Sequence, residues 1–133
     1  MNDHAGGSAG IAAFSAALDD AIKRLQQRKT KAILVGFFQQ NELWIKESSG
    51  DTLAYNRAIA DVAARNHVPF VDPLRAFARL AGNQPPAYEL TGDWLHHPNI
   101  YGQRIYYSLL VPFFLRHDTL AEDIPDYVIA TDL

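Results

Sequence analysis

The sequence predicts an α/β fold with parallel strands, and three observations carry that reading. Two short, nearly unbroken apolar runs, Lys31 to Phe38 (KAILVGFF) and Val68 to Val71 (VPFV), are separated by one amphipathic helical pattern and followed by another. Unbroken runs of this kind mark strands covered on both faces, whereas a half-exposed strand would alternate. Strand, helix, strand, helix in succession implies parallel strands joined by crossovers, with helices on the faces of the sheet.

The elements follow in order along the chain. Ile11, Phe14, Leu18, Ile22 and Leu25 recur every three or four residues, one stripe of a helix that starts behind Ser8 or Gly10 and ends near Arg28. Lys31 to Phe38 is then the first strand, expected in a central position. A polar stretch from Gln39 to Gly50 leads to Asp51, a residue suited to cap a helix in which Leu53, Ile59, Val62 and Ala63 share a side up to about Asn66. The second strand, Val68 to Val71, closes on Asp72-Pro73, and Leu74, Phe77 and Leu80 open a short helix. Gly82 to Glu89, with Gly, Asn and two prolines, reads as a surface loop. Pro98-Asn99 precedes a last amphipathic helix carrying Ile105, Leu109 and Phe113, which Pro112 is expected to kink or end. Asp118 to Leu133 is acidic with scattered apolar positions, a docked or frayed tail, so the predicted organisation is a domain over residues 1–117 and a tail over 118–133.

Bulk properties bound the function. With 133 residues, 48% of them hydrophobic, the chain suits one compact core. A formal charge of −3 without a Lys/Arg cluster argues against nucleic acid or an anionic membrane surface as partner. No cysteine is present, which excludes disulfides, a thiolate nucleophile and thiolate metal ligands, and leaves the compartment open. No apolar run reaches the ~20 residues of a membrane span, and Met1 to Gly10 lacks the regions of a signal peptide. Two strands alone make an improbable parallel sheet, because each leaves an edge unpaired. Strands hidden in loops, a dimer that completes the sheet, or a chain that starts partway through a domain would each resolve this.

Thr91 to Gly102 (TGDWLHHPNIYG) holds the most chemistry per residue. An Asp three residues before a His lets the carboxylate hold one imidazole nitrogen while the other faces a substrate. The plain structural reading is that Asn99 caps a helix, Asp93 makes a local turn and His96 and His97 are exposed loop residues. A metal set of His4, Asp93, His96 and His97 is disfavoured, since neighbouring histidines seldom point at one ion and no His-x-x-x-His helix exists; neither metal nor cofactor is expected.

Asp93, His96, Pro98, Asn99 and Gly102 resemble the Asp-x-x-His-Pro-Asn block and Gly-containing last helix of SGNH/GDSL-type serine esterases. The doubled histidine departs from that pattern, and spacing from Asp93 puts His96 ahead of His97 as the base. Met1-Asn2-Asp3 resembles the family's Gly-x-Asn-Asp block without its glycine, and the Tyr55-Asn56 helix and Val-Pro-Phe-Val-Asp strand end follow in the family's order. The resemblance covers about residues 1–116. It implies a partial flavodoxin-like three-layer α/β/α sandwich with about two of five parallel strands recognisable, His96 and Asp93 as catalytic residues, and Asn2 as an oxyanion donor. His97 and Trp94 are expected to contact substrate, and Tyr88, Trp94 and Tyr101 flank the site, so a sugar ester is one candidate among small acyl esters. The family's Gly-Asp-Ser nucleophile block is absent from this sequence, and Ser8, Ser15, Ser48, Ser49 and Ser108 have no such context. The expected function is therefore ester hydrolysis by lineage, weak or nil in this chain, with a non-catalytic binding or assembly module as the alternative. An open edge at Lys31 to Phe38 is expected to favour a homo-oligomer.

Overall fold

A computed structural model describes residues 7–38, 49–81, 87–93, 97–115 and 129–130. A 3-10 turn, Ser8–Gly10, leads into α1 (Ile11–Gln27), followed by β1 (Leu34–Val35), α2 (Ser49–Arg65), β2 (Phe70–Val71) and α3 (Pro73–Ala81). A second 3-10 turn, Ala87–Leu90, precedes α4 (Ile100–Leu115) and β3 (Ile129–Ala130). All pairings are parallel in the order β1-β2-β3, with Leu34 beside Phe70 beside Ile129 and Val35 beside Val71 beside Ala130. The α/β class with a parallel sheet thus holds, and it is a partial version of that class.

The strand expectations need adjusting in two places. The middle position belongs to β2, whose two residues are both buried, while β1 pairs only with β2 among the described residues and leaves Val35 36% exposed. The third strand comes from the acidic tail, at the end of the short apolar run Tyr127 to Ala130 (YVIA), which the reading of a docked or frayed tail does not assign to a strand.

Alternation along the strands divides the core in two. Leu34 and Phe70 join Phe14, Leu18 and Ile22 of α1 and Ile59, Val62 and Ala63 of α2 on one face. Ile33 and Val71 join Ala76 and Phe77 of α3 and Ile105, Leu109 and Phe113 of α4 on the other. Burial in this second layer raises the pKa of the Tyr106 hydroxyl well above the ordinary tyrosine range.

Local chemistry explains the helix ends. α1 and α2 close with the same device: Thr30 N donates to Leu25 O (2.9 Å) and Val68 N to Ala63 O (3.0 Å), with Lys29 (φ 55°) and His67 (φ 53°) in the left-handed region glycine would favour. α2 begins at Ser49, so Asp51, expected as its cap, sits inside the first turn instead. Asp72 caps α3, accepting from Arg75 N at 3.1 Å. Pro112 lies within α4 and does not end it. α1 is tied to α2 through Asp19, which takes Lys23, Asn66 and Arg65; these contacts, Lys23 first, hold its carboxyl far below the usual carboxylate range.

Asn56 joins the strand ends. Its buried amide accepts from Phe37 N at 2.8 Å and donates to Asp72 Oδ1 at 2.9 Å, bridging the carboxyl ends of β1 and β2. Gly36 makes room for it: a Cβ there would stand 2.1 Å from Asn56 Oδ1.

Candidate functional site

The candidate site is a short loop pinched at its base. Thr91 and Pro98 form an antiparallel bridge, Gly92 N donates to His97 O at 2.7 Å, and Asn99 N donates to Leu90 O at 2.8 Å. These contacts close a neck that brings Asp93 and His97 to its two sides. Below it, Asn99 fastens the loop to α4: its Oδ1 accepts from Tyr101 N (2.9 Å) and Gly102 N (3.1 Å), and its Nδ2 donates to Glu89 O (2.6 Å). Gly102 lets the helix sit this close, since a Cβ would stand 2.5 Å from Leu90 O and 2.9 Å from Pro98 Cβ.

Within the loop Asp93 and His97 meet. His97 Nδ1 lies 2.6 Å from Asp93 Oδ2, and His97 N donates to Asp93 Oδ1 at 3.0 Å. One carboxylate therefore fixes both the ring and the peptide of the same residue. A carboxylate only accepts, so Nδ1 carries the proton and the neutral ring's lone pair lies on Nε2. The Asp93 side chain is 30% exposed and that of His97 is 73% exposed, so the pair is open to a ligand from solution.

The expected residues divide accordingly. Asp93 and His97 are brought together; His96, placed ahead of His97 by counting from Asp93, lies outside the described residues with Trp94, and so do Asn2 and His4. The pinched neck keeps His97, the residue next to Pro98, within reach of the carboxylate. Asn99 is the cap that the plain reading of the loop proposes, yet its amide also reaches Glu89, a tertiary contact with no sequence signal. The N-terminal segment is held near α2 by Tyr55, whose hydroxyl donates to Gly7 O at 3.1 Å and whose ring meets Phe14 edge-on at 5.1 Å. Among the described residues no three His, Asp or Glu side chains gather as a metal set.

A family model described as GDSL-like lipase/acylhydrolase matches residues 1–105. No curated protein matches the chain.

Proposed function

The chain belongs to the GDSL-like lipase/acylhydrolase family, and from that membership we propose that Asp93 and His97 are the acid–base pair of an ester-hydrolysing site. The observation that carries this reading is the 2.6 Å contact between His97 Nδ1 and Asp93 Oδ2 on a solvent-open loop. In ester hydrolysis His97 Nε2 takes the proton of an attacking hydroxyl, Asp93 stabilises the resulting imidazolium, and the proton passes to the departing alcohol. Asn2 is the proposed amide donor to the developing oxyanion. Small acyl esters are the substrate class, with Trp94 and His97 against the substrate and a sugar ester as the finer candidate.

Turnover by this chain is proposed to be weak or nil. The serines at 8, 15, 48, 49 and 108 all lie outside a Gly-Asp-Ser block, and Ser15 and Ser108 sit within helices. The pair then acts as a general base on water and forgoes the acyl-enzyme route.

Hydrolysis of p-nitrophenyl acetate by the full chain tests this, beside labelling with a serine-directed fluorophosphonate. The expected result is slow turnover without labelling, falling at least tenfold in His97→Ala and little in His96→Ala. Loss of activity in His96→Ala with His97→Ala unaffected would transfer the role to His96, and labelling would show a working serine.

One observation favours a second reading. β1 pairs on one side only among the described residues and leaves Val35 partly exposed, so a non-catalytic assembly module that adds a strand at this edge is the alternative. Undetectable hydrolysis together with an oligomer that Val35→Lys dissociates would support it.

A further inference from the structure

A surface helix normally turns mostly polar residues outward, whereas α4 exposes Gln103, Arg104 and Ser108 with large apolar side chains set among them. Gly102, Ile105, Leu109 and Phe113 are buried against the core. At about 100° per residue, Ile100, Tyr107 and Phe114 fall within about 20° of one line on the opposite side. They are 60%, 69% and 61% exposed, and Tyr101 and Leu115 beside them are also exposed. Arg104 is the helix's single charged residue. The amphipathic pattern expected of this helix is thus weak: its buried stripe is as expected, but its outer face mixes Gln103, Arg104 and Ser108 with Ile100, Tyr107 and Phe114.

The geometry points to a second copy of this chain as the occupant of this face, packed α4 against α4 in antiparallel fashion about a two-fold axis at Tyr107. Three features favour a copy over another partner. The stripe is complementary to itself: Tyr107 stands midway, about 10 Å along the helix from both Ile100 and Phe114, so a two-fold axis there sets Ile100 against Phe114 of the other copy and Tyr107 against its equivalent. Ile100, Tyr107, Phe114 and Leu115 offer on the order of 500 Å², near the ~600 Å² per partner of the smaller stable interfaces. A lipid surface would call for a basic border, and α4 has one arginine and no lysine. The pairing also seats the far end of the second copy's helix beside Ile100, one residue from Asn99 and hence next to the Asp93–His97 loop. This surface is distinct from the β1 edge, and its test does not depend on hydrolysis.

The absence of cysteine makes the test clean, because a single introduced thiol is the only one present. Helix axes about 10 Å apart, less two backbone radii of about 2.3 Å, leave the two Cα atoms at position 107 about 5 Å apart, within disulfide range. Tyr107→Cys in the full chain should give a covalent dimer under mild oxidation, whereas Arg24→Cys on α1 and Val35→Cys on the sheet edge should not. Sedimentation equilibrium should show a dimer whose dissociation constant rises at least about tenfold in Tyr107→Glu and in Phe114→Glu, with far-UV circular dichroism unchanged. A monomer at every concentration, open-ended aggregation, a dimer indifferent to both substitutions, or cross-linking through Val35→Cys instead would each overturn the proposal. So would flotation of the chain with phosphatidylcholine or phosphatidylserine vesicles in place of self-association.

Discussion

Gly36→Ala and Asn56→Ala should cost nearly the same free energy, and together scarcely more than either alone. Asn56→Ala leaves Phe37 N without its acceptor and takes one donor from Asp72 Oδ1. A partly buried donor left unpaired costs about 1–3 kcal/mol, and a hydrogen bond to a charged group contributes about 1.5–3 kcal/mol. Because Arg75 N still serves Asp72, the sum settles at about 2–4 kcal/mol. Gly36→Ala reaches the same end from the other side: its Cβ would stand 2.1 Å from Asn56 Oδ1, so the amide must leave and both bonds go with it. In the Asn56→Ala background all three of the methyl's nearest neighbours, the atoms of the Asn56 amide group, are gone. The double variant should therefore fall about 2–4 kcal/mol short of additivity. Urea unfolding followed by far-UV circular dichroism reads this directly, each single change lowering the midpoint by about 1–2 M. Costs that add to within about 0.5 kcal/mol would refute the idea that Gly36 exists to admit Asn56.

Three further expectations follow from the same geometry. Gly102→Ala meets Leu90 O and Pro98 rather than a movable side-chain end, so it should destabilise by about 2–4 kcal/mol and lower the melting temperature accordingly; an unchanged melting temperature would show that α4 can slide. His67→Gly relieves a left-handed residue at the end of α2 and should stabilise by roughly 1 kcal/mol, seen as a higher urea midpoint, while a lower midpoint would mean the imidazole has a compensating contact. Asp19 binds its proton more weakly in the folded chain than in the unfolded one, so its pairing adds stability above about pH 4 that is lost as the pH falls below that value. Asp19→Asn should accordingly lower the melting temperature at neutral pH, with the gap narrowing in acid, and a gap independent of pH would remove Asp19 from the acid response.

Much of the architecture was legible because local and tertiary signals agree. The stripe from Ile11 to Leu25 is α1, and Ile105, Leu109 and Phe113 are the buried face of α4. The apolar runs located β1 and β2 but overstated them, since only two residues of each join the ladder. β3 was harder to read: the run Tyr127 to Ala130 is apolar but short and set in an acidic tail, and pairing with β2 is what makes Ile129 and Ala130 a strand. The site divides in the same way. Asp93 stood out by chemistry, whereas its histidine partner depends on how a six-residue loop closes, which spacing from one end does not determine. Asn56 and Asn99 were visible as a resemblance and a cap, but their second partners, Asp72 and Glu89, arrive only when distant segments meet.

The pinched neck at Thr91–Pro98 separates what the loop carries from what the domain needs. Its closing bonds run between Gly92 and His97 and between Asn99 and Leu90, all through backbone atoms, so the identity of residues 94–96 is not written into the joint. That makes the stretch a natural cassette for engineering. Side chains can be exchanged there one at a time, while Asn99 and Gly102 keep the mounting in register with α4.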